Sequence, residues 1–402
     1  MNEEKFLRRV AGYGFAVMLL VICLSFALRY KDQYNVVEQE RDATNQEELL
    51  YVEATPTMLP EVTMHPMEFL VQDRHDTESE VWEVWQMISQ ESMAKLLEHV
   101  SDRCILIEKP LGSNAGWTIK ENLPYYQITF TLHGAKENLQ ATSVLRMWEN
   151  RLLFGLPEED EILKDFSVLS YEEENGVTSE VTMTFDRCYF PEVEDQEEYY
   201  IIHLKKYHEV YDKIVVLDAG HGGKDPGAGA ENYRVKESEI ALKLLLYLKE
   251  LLESNTDIKV FCTRTEDVYP TLQERADLAL GMEADLFISW HCNAAESNKR
   301  NGTEMLYNAE QGKEDAFNSK SFAQICLENL TTALGTKKGG LYNRQDLHIV
   351  RRATMPMVLI ETAYLSNAKD LAVLKNDDKL KDAAQAIYEA ILTAYERLEE
   401  NN

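Results

Sequence analysis

Positive charge is scarce in this 402-residue chain. Asp and Glu number 70 against 41 Lys and Arg, giving a net charge of −29 and an isoelectric point near 4.7. That balance speaks for no nucleic acid as partner, because phosphate binding needs clustered cations. It also gives no bulk attraction to anionic polymers, so an anionic substrate has to be held by local contacts. No Cys-x-x-Cys pair occurs among Cys23, Cys104, Cys188, Cys262, Cys292 and Cys326, which argues against a cysteine zinc knot. Cys104 and Cys188 share a middle region. Spacing alone shows no bridge between them, and buried free thiols are the plainer reading. What is present is globular: 45% hydrophobic and 28% charged residues, over a length that allows two or three domains of about 100–200 residues each.

Val10–Leu28 is apolar apart from glycines, Tyr13 and Ser25, and basic residues flank it (Lys5, Arg8 and Arg9 before, Arg29 and Lys31 after). About 18–20 apolar residues cross a bilayer. The leading basic residues place the N-terminus inside and the rest of the chain outside the cytoplasm. Residues 1–29 therefore read as a single-pass transmembrane helix anchoring the protein to the cell membrane. A faint cleavage pattern at Ser25-Phe-Ala27 keeps a secreted form as the alternative. Residues 30–76 are acidic, punctuated by Pro56, Pro60 and Pro66, and read as a linker.

Residues 77–208 carry an apolar cluster (Val81, Trp82, Val84, Trp85, Met87, Ile88) and three strand candidates, Tyr125–Leu132, Val181–Phe185 and Tyr199–Leu204. With Asn138–Leu153 taken as helical, the expectation is a small α+β module with an antiparallel sheet. His133, His203 and His208 show no ligand spacing and read as ordinary residues.

From residue 209 to 402 strands and helices alternate. Strands are expected at Ile214–Asp218, Ile258–Thr263, Asp285–Trp290, Thr303–Tyr307, Leu347–Val350 and Met357–Glu361. Helices are expected at Glu237–Glu253, Leu272–Gly281, Ala316–Leu334 and Asp377–Glu399. This is the α/β pattern of an open, mainly parallel sheet with helices on both faces. Ligands of such sheets sit at the carboxyl ends of the strands.

Four side chains fall at those ends. His221 stands in the glycine-rich turn Ala219-Gly-His-Gly-Gly-Lys-Asp-Pro-Gly227 after the first strand. Glu237 opens a helix whose Ile240, Ala241, Leu244, Leu245, Leu248 and Leu252 share one apolar face, and its spacing puts it on that face. A carboxylate there has to be paired or bind a metal, although a first-turn glutamate is also favoured by the helix dipole. His291 ends the strand in Ser289-Trp-His-Cys-Asn293, and Glu361 ends Pro356-Met-Val-Leu-Ile-Glu361. Two imidazoles and one carboxylate make a catalytic zinc set with one position open. A second carboxylate beside it suits proton transfer.

The segments Leu217–Ala228, Glu237, Thr263-Arg264, Leu272–Arg275, Asp285–Ala294 and Pro356–Asn367 resemble the zinc-dependent N-acetylmuramoyl-L-alanine amidases of the type 3 catalytic domain, over about Lys213–Leu398. The resemblance implies a peptidoglycan hydrolase that cuts the amide between the muramic acid lactyl group and L-alanine. It implies one Zn2+ per chain on His221, Glu237 and His291, with Glu361 as the catalytic residue. Asp218, Asn293 and Arg264 enter as substrate-binding or supporting residues, and Thr263-Arg264 and Arg275 as supports of the sheet end. Trp290 and Leu280 depart from the family pattern without touching the ligand positions. The short Tyr307–Ser321 segment implies a site open without an activator. By position, residues 77–208 match a wall-targeting module. Two other functions remain open: a catalytically silent peptidoglycan-binding module, which leaves Glu361 without purpose, and a zinc peptidase acting within the stem peptide.

Overall fold

Residues 103–205 build two antiparallel sheets. The computed structural model describes residues 103–110, 116–148, 151–154, 162–230, 234–311 and 317–400. The first sheet contains β1 (Arg103–Glu108), β4 (Val144–Trp148), β5 (Arg151–Phe154), β8 (Phe190–Asp195) and β9 (Tyr199–Lys205), in the order β5-β4-β1-β9-β8. The second contains β2 (Gly116–Asn122), β3 (Gln127–Ala135), β6 (Leu163–Glu173) and β7 (Gly176–Phe185), in the order β2-β3-β7-β6. Ile128, Phe130 and Leu132 are buried and alternate with partly exposed Gln127, Thr129 and Thr131, as the pleat requires. They meet Ile105, Ile107, Tyr200 and Ile202 of the first sheet in one core, so the two sheets pack face to face.

The α+β expectation is corrected here, since no α-helix occurs among the described residues of 103–205. Asn138–Leu153, expected as helix, holds a short 3-10 turn at Ala141–Ser143 followed by β4 and β5. Val144–Trp148 pairs residue for residue with β1, and such distant pairing overrides an undecided local preference. Cys104 and Cys188 are both buried, and no disulfide joins them to each other. The stretch Val10–Leu28, the linker and the Val81–Ile88 cluster lie outside the described residues. Among the described residues no helix is long and apolar enough to cross a membrane.

The second half is α/β. Its sheet holds β10 (Ile214–Ala219), β13 (Lys259–Cys262), β14 (Leu286–Asn293), β15 (Thr303–Tyr307), β16 (Lys338–Asn343) and β17 (Met357–Tyr364), ordered β13-β10-β14-β17-β15-β16. The first four strands run parallel and β15 turns antiparallel to β17. A two-residue ribbon, β11 (Gly229–Ala230) with β12 (Val235–Lys236), precedes α1 (Glu237–Asn255). Then come α2 (Leu272–Gly281), α3 (Ser319–Leu334), α4 (His348–Arg352), α5 (Ala368–Leu374) and α6 (Asp377–Glu400).

Both sheet faces are covered. Val215 and Leu217 join Leu244, Phe322 and Ile387 of α1, α3 and α6 in one core. Ile214 and Val216 point the other way, to Ala276 and Ala279 of α2 and Ile349 of α4. Leu347–Val350, expected as a strand, lies in and before α4, because a four-residue apolar run fits either period. The strand β16 went unread, its Gly339-Gly340 pair interrupting any alternation.

The sandwich is joined to the α/β half through α2. Tyr126 Oη donates to Asp277 O at 2.9 Å, and Cys188 N donates to Gly281 O at 3.0 Å. A Cβ at Gly281 would stand 2.2 Å from Tyr126 Cε1 and 2.8 Å from Cys188 Sγ, so a side chain there would force the contact apart. Cys188 and Tyr207 of the sandwich side enter the core beneath α2.

Candidate active site

The site lies where β10, β14 and β17 end. Asp218, the last polar residue of β10, is 1% exposed and anchors the edge. It accepts hydrogen bonds from Thr263 Oγ1 (2.6 Å), Ser289 Oγ (2.6 Å) and Arg275 Nη1 (2.5 Å). Burial alone would raise its carboxyl, but the Arg275 guanidinium and the two hydroxyls hold it below the usual range. Arg275 also donates to Ala219 O (2.7 Å) and His221 O (2.8 Å), so one buried ion pair fixes the start of the histidine turn. Arg264 is 3% exposed and donates to the carbonyls of Ala219, Gly220, Ser238 and Glu266. Both arginines therefore brace the main chain behind the site, and Arg264 presents no exposed guanidinium to a substrate.

The turn itself is strained. His221 adopts φ 59°, a left-handed conformation that residues with a Cβ rarely take. Its Nδ1 donates to Asp225 Oδ2 at 2.6 Å, which fixes the tautomer and leaves Nε2 facing inward. Gly220 permits the closest approach: a Cβ there would stand 2.2 Å from His291 Cε1.

Glu237 is 4% exposed at the first position of α1. Its Oε1 lies 3.1 Å from His221 Nε2 and 2.8 Å from His291 Nδ1, and it accepts from Cys292 N at 3.1 Å. Its Oε2 accepts from Ala228 N at 2.9 Å. The two imidazole rings are 4.9 Å apart, and one ligand atom from each of His221, Glu237 and His291 falls within 4.8 Å of the others. Burial would lower the His221 pKa, but hydrogen bonds to Asp225 and Glu237 push it up to about 10. Burial would raise Glu237, but the two histidines hold it well below the usual carboxylate range. One carboxylate oxygen and two imidazole nitrogens thus converge on one point and could hold a metal ion. Two nitrogen donors and one oxygen donor suit zinc.

Glu361 is the cross-strand partner of His291 on one side and of Glu304 on the other. The three side chains thus stand in a row on one sheet face. Glu361 Oε2 is shut off from solvent and has no hydrogen-bond partner among the described residues. Burial first, then the charge of Glu237, pushes its carboxyl well above the ordinary value. Asn293 Nδ2 donates to Glu304 Oε2 at 2.9 Å and so faces the same row. Trp290 turns to the opposite face, where its Nε1 donates to Thr362 Oγ1 at 2.8 Å.

Three residues escaped the sequence reading. Asp225 sits in the same turn as His221, and a carboxylate four residues from a candidate ligand histidine is a recognisable orienting group. Glu304 sits in the fully buried run Thr303–Tyr307, the same signal that marked Glu361. Arg344 is close enough to lower Glu361 electrostatically, and nothing in its loop sequence marks it.

A family model described as N-acetylmuramoyl-L-alanine amidase matches residues 215–393. The endolysin of Bacillus phage SPP1 is 35% identical over 183 residues, covering 44% of this chain and 65% of its own length. The N-acetylmuramoyl-L-alanine amidase LytC of Bacillus subtilis is 33% identical over 186 residues, covering 46% of this chain and 36% of its own. The uncharacterized protein YqiI of Bacillus subtilis is 30% identical over 185 residues, covering 46% of this chain and 86% of its own. The chain thus spans less than two thirds of the first two relatives.

Proposed function

The chain belongs to the N-acetylmuramoyl-L-alanine amidase family, and from that premise we propose that its C-terminal half is a zinc-dependent peptidoglycan hydrolase. The bond cut is the amide between the lactyl group of muramic acid and L-alanine. The observation that carries this reading is Glu237 Oε1 facing both imidazoles, with Glu361 Oε2, which has no hydrogen-bond partner among the described residues, on the strand beside His291.

His221, Glu237 and His291 would hold the ion. When bound, it supplies Lewis-acid polarisation of the scissile carbonyl. Asp225 keeps the His221 ring turned inward. Glu361 takes the proton from the attacking water as its oxygen bonds to the carbonyl carbon, and delivers it to the alanine nitrogen as the C–N bond breaks. Glu361, held above its ordinary value by burial and Glu237, would ionise more readily with a cation held by the triad, and the ionised form is the one a base requires.

Residues 77–208, of which the described part is the sandwich, we read as a module that presents the enzyme to the cell wall. The N-terminal segment we read as a membrane anchor placing both parts outside the cytoplasm, on the strength of its apolar length and flanking charges.

Mass spectrometry of fragments released from purified peptidoglycan by the full chain tests the bond. The expected products are stem peptides with free N-terminal alanine and muramic acid with a free lactyl carboxyl. Muramoyl-alanine left intact beside shortened stems would reject the amidase in favour of a peptidase.

A further inference from the structure

Beyond the site row lies a loop, residues 294–302, that brings an arginine to the edge of the active face. It is tied down at several points. Ala295 N donates to Ser366 Oγ (3.1 Å), Asn367 Nδ2 to Asn298 O (2.7 Å), and Gly302 N to the buried carboxylate of Asp370 (2.7 Å). Within this held loop Arg300 lies with its guanidinium carbon 5.2 Å from the centroid of the Tyr364 ring. Its Nη2 donates to Glu304 Oε1 at 3.3 Å. Tyr364 Oη donates to the same oxygen at 2.8 Å, and Asn293 Nδ2 occupies the other. Glu304 is therefore held by three donors, and its side chain is only 10% exposed. The Arg300 side chain, by contrast, is 58% exposed. A guanidinium offers five N–H donors in a fixed plane. Here an aromatic face and a buried carboxylate orient the guanidinium of a side chain that is itself largely exposed.

We propose that Arg300 is a specificity-determining residue that binds a carboxylate on the peptide side of the scissile amide. The proposal rests on the amidase reading above. Two further observations support it. Tyr364, over which Arg300 lies, follows Glu361 by three residues in β17, across a register shift that lets its hydroxyl reach Glu304 on the Glu361 face, and at most about 10 Å along the strand at roughly 3.3 Å per residue. An extended peptide leaving Glu361 reaches that point within about three residues, so the carboxylate sits one to three residues beyond L-alanine. The chain as a whole carries a net charge of −29, and the Glu304 carboxylate lies beside the site. An anionic peptide needs a fixed local cation to settle there. Arg344, whose charge reaches Glu361, is turned onto Asp346 through Nε and Nη2 (2.8 and 2.6 Å).

The test compares two synthetic substrates on the full zinc-loaded chain: N-acetylmuramoyl-L-alanyl-D-isoglutamyl-L-lysine amide, with its glutamate α-carboxylate free as the one peptide carboxylate, and the same molecule with that carboxylate amidated. Wild type is expected to show a KM about 10- to 100-fold lower for the free acid, about 1.4 kcal/mol per factor of ten. Arg300→Gln is expected to raise the free-acid KM to the amidated value and to leave kcat and the amidated substrate untouched. Arg300→Lys, which keeps the charge and loses the fork, should fall between. Equal losses on both substrates, or no preference in wild type, overturn the proposal. Calorimetric affinity for the two product tripeptides supplies a readout without turnover. If neither substrate is cut, the amidase reading fails. The calorimetry still decides Arg300, for which a preference for the free-acid tripeptide that Arg300→Gln abolishes is the supporting result and equal affinities are the overturning one.

Discussion

Metal binding at the triad should be strongly pH-dependent, and the structure sets the size of the effect. Without metal, His221 carries a proton with a pKa near 10, held by Asp225 and Glu237. A zinc ligand nitrogen has to be deprotonated, so the metal competes with that proton. At pH 7 the gap is about three units, so the apparent affinity is weaker by about a thousandfold, or roughly 4 kcal/mol, than above pH 10. The dissociation constant should rise about tenfold for each unit of pH lowered between 9 and 6. For the metal-free fold the sign is opposite: the raised pKa adds stability that is fully present below about 6.5 and is lost as pH rises through about 10. Zinc titration at pH 7.5 in buffers of different ionisation enthalpy measures protons released, and about one per ion is expected. Asp225→Asn removes one of the bonds that raise His221, so it should release less proton while weakening zinc about 10- to 100-fold through loss of orientation. A dissociation constant flat across this range, with no proton released, would refute the reasoning.

Other substitutions separate support from chemistry. Arg275→Met leaves Asp218 buried without its partner, which costs about 3–5 kcal/mol. A melting temperature lower by roughly 6–20 °C is expected by calorimetry. Gly281→Ala drives a methyl against Tyr126 and Cys188. Limited proteolysis should then cut between sandwich and α/β half, at sites protected in wild type. Glu361→Gln should lower kcat by about 10²–10⁴ with KM unchanged, read on a muramoyl-peptide substrate.

Much of the α/β half was legible because its signals are local. Ile214–Leu217 reads as a doubly covered strand, and Val215 and Val216 do face opposite cores. The helix after Glu237 buries the face its spacing marks. The four residues at strand and helix ends were visible because a charge or imidazole closing an apolar run is expensive unless used, and His221, Glu237 and His291 meet within 4.8 Å. What could not be read depended on partners far away in the chain. Val144–Trp148 became strand through β1. Glu304 hid because its three donors, Asn293, Arg300 and Tyr364, come from different segments. Arg264 reads from sequence as a support of the sheet end or else a substrate contact, and the folded turn shows its donors spent on carbonyls.

Zinc content per chain, measured by inductively coupled plasma mass spectrometry after gel filtration, tests the centre of this account. One ion is expected in wild type and in the inactive Glu361→Gln variant, and none in His221→Ala or Glu237→Ala of intact fold. Hydrolysis of peptidoglycan by a metal-free chain, or a full complement of zinc in the His221→Ala variant, would contradict it.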